Sequence, residues 1–216
     1  MAIAEHGIAA KFQKAVASLN LTVPVSVNVP LNALILLAAC FDTVGGVGDN
    51  SPSDTVGNNY NEVCGSTLPD SSIQVLAFSA PGALALPALD VINIAAPAGL
   101  TFNIEAGAVY FTGLTSGASS ACTALADSGT NPLIDLTTLV DNALIVGLIG
   151  VKGPSTDGFT QDPNFADISP RGGAGASDLL TAYAGWMQGG VKGVYPWRPV
   201  LGVAREYVAL LMSFQP

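Results

Sequence analysis

Along most of this chain apolar and polar residues alternate with a period of two, and two stretches depart from that pattern by being apolar throughout. Residues 141–151 read DNALIVGLIGV and residues 32–41 read NALILLAACF, so that both contain Asn-Ala-Leu-Ile. Branched aliphatics dominate the first, and the Gly147 and Gly150 among them would each cost about 1 kcal/mol in a helix interior. A strand is therefore expected. An uncharged run of this length, bounded by Asp-Asn before and Lys-Gly-Pro after, fits a strand covered on both faces, by neighbouring layers or by a partner subunit. The 32–41 stretch is its counterpart.

Elsewhere the alternation itself marks the strands. Residues 19–29 (LNLTVPVSVNV) alternate, with Pro24 and Pro30 confining them to a sheet edge or to two short pieces. Residues 60–64, 72–78, 90–94, 101–105, 108–114 and 134–137 read as further strands. Residues 179–187 fit a strand or a short helix, with Tyr183 and Trp186 favouring the strand, and 195–199 (YPWRP) are extended. At 205–214, Val208, Leu210, Met212 and Phe214 fall on one face and Tyr207, Ala209, Leu211 and Ser213 on the other, as in a closing strand. Ile8, Phe12, Ala15 and Val16 have helical spacing just before the alternation begins, and residues 1–18 read as an N-terminal arm. Glycine, proline and small polar residues predict long loops at 42–58, 115–132 and 153–177. About nine to eleven strands and no helical period predict an all-β fold, an antiparallel β-sandwich or jelly roll. It is expected to form a single domain over 19–216, following the arm.

Composition adds a question about what covers the apolar surface. Half of the residues are hydrophobic, only 11% are charged, and the mean hydropathy is +0.49, against the charged coat usual for a soluble monomer. Two readings stand: a large core with an alanine-rich surface, or an oligomer or lattice component whose apolar faces meet other subunits. Seven basic residues, scattered, against sixteen acidic ones give a net charge of −9. That excludes the clustered Lys and Arg of a nucleic-acid footprint. The three cysteines, Cys40, Cys64 and Cys122, have no CxxC spacing, which argues against a disulfide framework and leaves one pair open, with Cys40 expected as a buried thiol. The opening MAIAEHGIAAKFQKA lacks the pattern of a secretory signal, and no apolar run reaches the roughly 18 residues of a membrane helix.

Candidate chemistry is sparse. His6 is the only histidine, so any His-dependent triad or zinc site would have to use it, and no catalytic residue is assigned. Gly45-Gly46-Val47-Gly48 and Gly172-Gly173-Ala174-Gly175 are not followed by the Lys-Ser/Thr of a phosphate-binding loop and read as plain loops. Asp42, Asp49 and Asp54 flank one glycine-rich loop, and Asp157, Asp162 and Asp167 share another. The first three are weak candidates for a structural calcium site, which needs several loop oxygens; otherwise no metal and no cofactor is expected. Tyr183, Trp186, Tyr195, Trp197 and Tyr207 form the richest aromatic group, with Arg198 and Arg205 beside it. These rings suit a core, a subunit interface or a glycan contact, and Trp197, between two prolines, is expected at the surface. Phe12, Tyr183, Trp186, Tyr195, Trp197 and Arg198 are the candidate contact residues.

Four marks recur in order: the aliphatic stretch 34–39, Asp54-x-x-Gly57-Asn58-x-Tyr60, the 142–147 stretch NALIVG, and the terminal Phe214-Gln215-Pro216. In this order the chain resembles a module of tailed-phage and prophage structural proteins, over most of its length from about residue 19. The resemblance implies a β-sandwich that acts without catalysis as a capsid decoration (cement) protein on the virion exterior. Its partners would be the major capsid protein and itself, as a homotrimer, with neither nucleic acid nor membrane involved. The alternative within the same resemblance is a head or tail appendage that binds a host-surface glycan or receptor.

Overall fold

The computed structural model describes residues 3, 5–18, 20–42, 52–70, 72–95, 102–114, 119–168 and 180–216. They form an all-β protein built from two jelly rolls in tandem. The first comprises β1 (Glu5–Ser18), β2 (Asn20–Pro24), β3 (Ala33–Asp42), β4 (Ser53–Asp54), β5 (Asn61–Thr67), β6 (Gln74–Ala83), β7 (Val91–Ala95) and β8 (Phe102–Thr112). The second comprises β9 (Ser119–Gly129), β10 (Ile134–Thr137), β11 (Leu144–Val151), β12 (Phe159–Thr160), β13 (Ala166–Asp167), β14 (Thr181–Gln188), β15 (Val194–Trp197), β16 (Val200–Leu201) and β17 (Arg205–Phe214). A single 3-10 turn at Ser155–Asp157 interrupts the second.

Sheet order reveals a repeat. In the first half β1-β8-β3-β6-β5 make one sheet and β2-β7-β4 another; in the second, β9-β17-β11-β14-β13 make one sheet, and the pairs β10-β15 and β12-β16 complete the other layer. Substituting β9 for β1, β10 for β2 and so on, with β15 and β16 together for β7 and β17 for β8, turns one description into the other. Local geometry repeats as well. Asn32 and Asn142, which open the two Asn-Ala-Leu-Ile stretches, are both left-handed, at φ 62° and 58°, a conformation asparagine tolerates better than most residues. Each donates its backbone N–H to the equivalent turn, Asn32 to the Ala83 carbonyl at 2.8 Å and Asn142 to the Gly190 carbonyl at 2.6 Å.

The two five-stranded sheets pack face to face, which explains the apolar stretches. In β3, the odd-numbered residues Ile35, Leu37, Ala39 and Phe41 face the core of the first jelly roll with Val23, Ile92 and Ile94. The even-numbered Leu34, Leu36, Ala38 and Cys40 face the second half, meeting Leu144, Val146 and Leu148 of β11 and Val208, Leu210, Met212 and Phe214 of β17. The other face of β11 and β17, with Ile145, Ile149, Ala209 and Leu211, lies in the core of the second jelly roll around Trp197. Four layers thus enclose three apolar cores, and the two-face division expected for residues 205–214 is the one observed. Gly150 is needed at the seam, because a Cβ there would come within 2.5 Å of Val75 Cγ2 and 3.0 Å of Cys40 Sγ. Since Gly150 meets Cys40, and Val146 and Leu148 share a small apolar cavity with Leu36 and Ala38, β3 and β11 run in the same direction across the seam. The halves are therefore related by a pseudo-twofold axis parallel to the strands, which sets β5 opposite β9 and β1 opposite β13.

Several expectations change. There are seventeen strands among the described residues, because four are only two residues long and leave no alternation to read. Residues 5–18 are not an arm: β1 pairs antiparallel with β8, from Glu5 opposite Thr112 to Ser18 opposite Phe102, with bulges between. Much of the 115–132 loop is likewise strand, since β9 pairs along β17. Most residues on these edges are small or polar, so pairing to a strong neighbouring strand decides their state and not their own propensity. The expected sandwich over 19–216 is two sandwiches, the first of which includes β1. Residues 153–168 contain a 3-10 turn and two short strands. Residues 43–51 of the 42–58 loop and 169–177 of the last loop, with both glycine-rich stretches, lie outside the described residues.

A disulfide joins Cys64 of β5 to Cys122 of β9 with the Cα atoms 5.9 Å apart, closing one edge of the seam between the halves. Cys40 is a buried free thiol, as expected, and burial, followed by the nearby Glu105 charge, pushes its pKa well above the ordinary value. The bond encloses a separation of 58 residues, for which the loss of denatured-chain freedom is worth about 4 kcal/mol. Replacing both Cys64 and Cys122 by Ser should lower unfolding free energy by about 2 to 4 kcal/mol in urea titrations. Deleting residues 1–18, which strips an edge strand from the first sheet, should lower the denaturation midpoint and expose apolar surface to dye binding; a truncation as stable as the full chain would show that β1 is dispensable.

Candidate functional site

The five aromatic residues do not make one surface. Trp197 is 0% exposed, and its indole N–H donates to Gln161 Oε1 at 2.8 Å. Its ring covers Gly147, where a Cβ would lie 2.6 to 2.8 Å from the indole. The expected surface position of Trp197 is thus corrected: β15 runs over the core of the second jelly roll, and the flanking prolines shape the strand without lifting the ring into solvent. Tyr183 is buried and stacked on Phe159 at 4.2 Å between centroids, and Tyr207 is buried in the same core. Tyr195 is half-buried; its hydroxyl accepts from the Gly190 N–H at 2.8 Å and donates to the Val191 carbonyl at 2.6 Å. Arg198 is exposed, and its backbone N–H donates to Asp162 at 2.8 Å. Arg205 is engaged within the chain, its Nε donating to Asp157 at 2.6 Å. Phe12 lies in β1, close to the pairs Gln13–Ala106 and Lys14–Glu105. Only Trp186 turns to the other side of its sheet, toward the seam.

The acidic candidates hold loops. Asp54 Oδ1 accepts from the backbone N–H groups of Val56, Gly57 and Asn58 at 2.8 to 3.2 Å, and Oδ2 accepts from Asn58 Nδ2 and the Tyr60 hydroxyl, each at 2.9 Å. Asn58 Oδ1 then accepts from the Leu84 N–H at 2.7 Å, and Gly57 takes φ 83°. The Asp-x-x-Gly-Asn-x-Tyr motif is therefore a self-contained corner between β4 and β5, and the carboxylate is already filled by donors. Burial, then the adjacent Asp54, push the Tyr60 phenol far above its ordinary pKa. Asp162, at the equivalent corner of the second half, accepts from the backbone and side chain of Asn164. Asp42 accepts from Asn103 Nδ2 at 2.6 Å, and Asp49 lies outside the described residues. No group of three or more His, Cys, Asp and Glu is placed to hold a metal among the described residues. Nor is any helix among them long and apolar enough to cross a membrane.

Two surface features remain. One is a cleft of about 380 Å³ at the edge of the seam opposite the disulfide, lined by His6, Gly7 and Ile8 of β1, Val109 and Phe111 of β8, Asp167 and Ile168, and Trp186 of β14. The His6 and Trp186 rings are 4.6 Å apart, and Phe111 meets Trp186 edge-on at 5.6 Å. Of these, Trp186 alone was among the contact candidates. His6 and Phe111 are register partners in β1 and β8 of the first half, and Asp167 and Trp186 come from the second, so the set is assembled only once the sheets dock.

The other is an apolar end. In the first half the 25–32 loop pairs with the 84–90 loop, through Leu89 N–H to the Val25 carbonyl and a reciprocal bridge between Val29 and Leu86. In the second half residues 138–143 pair in the same way with 189–193, through Thr138 N–H to the Gly193 carbonyl and Lys192 N–H to Asp141. Because β3 and β11 run the same way, both loop pairs lie at the same end of the molecule. They expose Leu31, Leu84 and Leu89 from one half and Leu139, Val191 and Val194 from the other. Leu89 is 92% exposed and left-handed at φ 75°, so a branched residue there carries both backbone strain and unburied apolar surface.

In comparison with known proteins, the chain matches no protein-family model, no curated protein and no solved structure. Trp197→Ala should cost about 3 to 5 kcal/mol of stability, as for a large ring removed from a packed core. Denaturant unfolding of the variant measures this directly; a loss below 1 kcal/mol would mean the ring contributes little to the second core.

Proposed function

We propose that this is a non-enzymatic structural protein of a phage particle that docks on the outer face of the capsid shell and reinforces it. The observation that carries the reading is the apolar end, where two rigid loop pairs present leucine and valine side chains in parallel, one of them on a strained backbone. Most of the exposed large apolar side chains among the described residues gather at this end, with Leu133, Val200 and Val203 elsewhere, and such a patch on a charge-poor surface suits a protein partner. At about 25 cal/mol per Å², a few hundred Å² of apolar contact at each loop pair would hold the protein to the shell. Two such contacts on one rigid body bind more tightly than either alone. The jelly roll is a frequent fold of capsid proteins, though it also carries other functions. A disulfide between the halves agrees with a working life outside a reducing cytoplasm, as on a virion.

Leu89→Asp combined with Val191→Asp places a carboxylate on each loop pair without touching a core. Occupancy on undecorated shells should fall at least tenfold while the denaturation midpoint stays where it was. Undiminished occupancy would remove the docking surface from the reading. Quantitative mass spectrometry of virions supplies the second measure, with one copy per one or a few shell subunits expected for a lattice-wide reinforcing role.

A further inference from the structure

We infer that Cys64–Cys122 is a redox latch on β9: oxidised, it pins this edge strand across the seam, and reduction by a small thiol releases the strand while the cores stay packed. This stands apart from the docking reading and concerns a lateral edge of the molecule. The first support is how lightly β9 is otherwise held. It is the edge strand of its sheet, with β17 as its neighbour there, and none of its eleven residues is buried. Ala121, Leu125 and Ala126 are only partly buried against the cores they touch, so few side chains oppose a local opening. Among the described residues, its attachment runs through backbone pairing with β17 and a hydroxyl contact of Ser120 with Ser213 at 2.8 Å. β17 is buried over residues 207–214, and β9 covers its outer backbone edge. With β9 open, that edge is free to pair with another chain.

The placement of the two sulfurs supplies the second support. Cys64 is buried beside the bulge of β5, whereas Cys122 is exposed. A thiolate therefore reaches Cys122 first, bonds to its sulfur and expels Cys64 as a thiolate, which takes a proton. A second thiolate attacks the small-thiol sulfur of the mixed disulfide, so that Cys122 leaves as a thiolate and is protonated in turn. Two small thiols thus become one small-molecule disulfide as the protein disulfide becomes two thiols, and a small-molecule disulfide in excess reverses the sequence. Cys40 takes no part, because it is buried in the seam and that burial keeps its thiol protonated. A chain made in a reducing compartment completes this edge only on reaching an oxidising one. The pseudo-twofold axis also supplies an internal control. β1 is the counterpart of β9, an edge strand paired to β8 as β9 is to β17, and it carries no cysteine.

The test is hydrogen exchange read by mass spectrometry on the full chain, oxidised with glutathione disulfide and then reduced with 2-mercaptoethanol. Thiol titration in denaturant should count one free thiol before reduction and three after. The labelling time is kept too short for β3 or β11 to exchange in either state. Within it, amides of residues 119–129 should exchange about tenfold faster or more in the reduced chain, through local opening, while β1 gains no label. Reoxidation should restore the protection. The Cys64→Ser, Cys122→Ser variant should exchange like the reduced wild type and ignore the thiol. Equal protection of β9 in both states, exchange of β9 only together with β3 and β11, or three free thiols after oxidation would each overturn the latch. None of these readouts involves a shell, so failure of the latch and failure of the docking reading are separately visible.

Discussion

The structure depends on one contact, the face-to-face docking of two five-stranded sheets through alternate residues of their central strands. Leu34, Leu36, Ala38 and Cys40 on one side, and Leu144, Val146, Leu148 and the even-numbered residues of β17 on the other, make a core that neither half can build alone. A sheet already covered on its inner face by its own jelly roll would otherwise present this second apolar face to water. Each fully buried aliphatic side chain is worth about 1.5 to 3 kcal/mol, so the seam holds the two halves as one body. Close approach also requires a missing side chain at Gly150, directly against Val75 and Cys40.

That contact explains the two sequence stretches that stand apart. A strand covered on one face alternates; β3 and β11 are covered on both and therefore read as continuous apolar runs. Their burial was legible, and so was the two-sided character of residues 205–214. What the runs did not disclose was the covering layer. Internal duplication accounts for the apolar faces of both central sheets within a single chain, so much of the unusual hydropathy needs no partner subunit. The shared Asn-Ala-Leu-Ile is the one visible trace of the repeat, and its asparagines keep the same left-handed turn in both halves. The rest of the repeat is in topology, where sequence similarity is not required.

The edges were illegible for the complementary reason. β1 and β9 contain alanine, serine, glycine and lysine, and they are strands because β8 and β17 offer them unpaired backbone groups. A preference imposed by a neighbour leaves little mark on the segment that receives it. The same holds for Trp197, whose flanking prolines suggest an exposed segment, while its burial follows from the space above Gly147. The cleft combines residues from β1, β8 and β14 with Asp167 and Ile168, so it exists only once the seam has formed. By contrast, the Asp54 motif was visible as a turn, and its chemistry became clear when each carboxylate oxygen was found to be accepting hydrogen bonds from its own loop.

A duplicated fold with an axis parallel to its strands has a further consequence for binding. Such an axis leaves the ends of the molecule different from each other but places equivalent loops of both halves at the same end, while it makes the two lateral edges equivalent. The end therefore offers two similar contacts side by side, which favours a broad shared surface. The edges begin as copies, and a change at one is not forced on the other. Here one edge is tied by Cys64–Cys122 and the other keeps Trp186, Phe111 and His6 around a cleft. Once the tied edge secures the seam, the other edge need not close as tightly, although Phe111 there still belongs to the shared core and Trp186 packs against it.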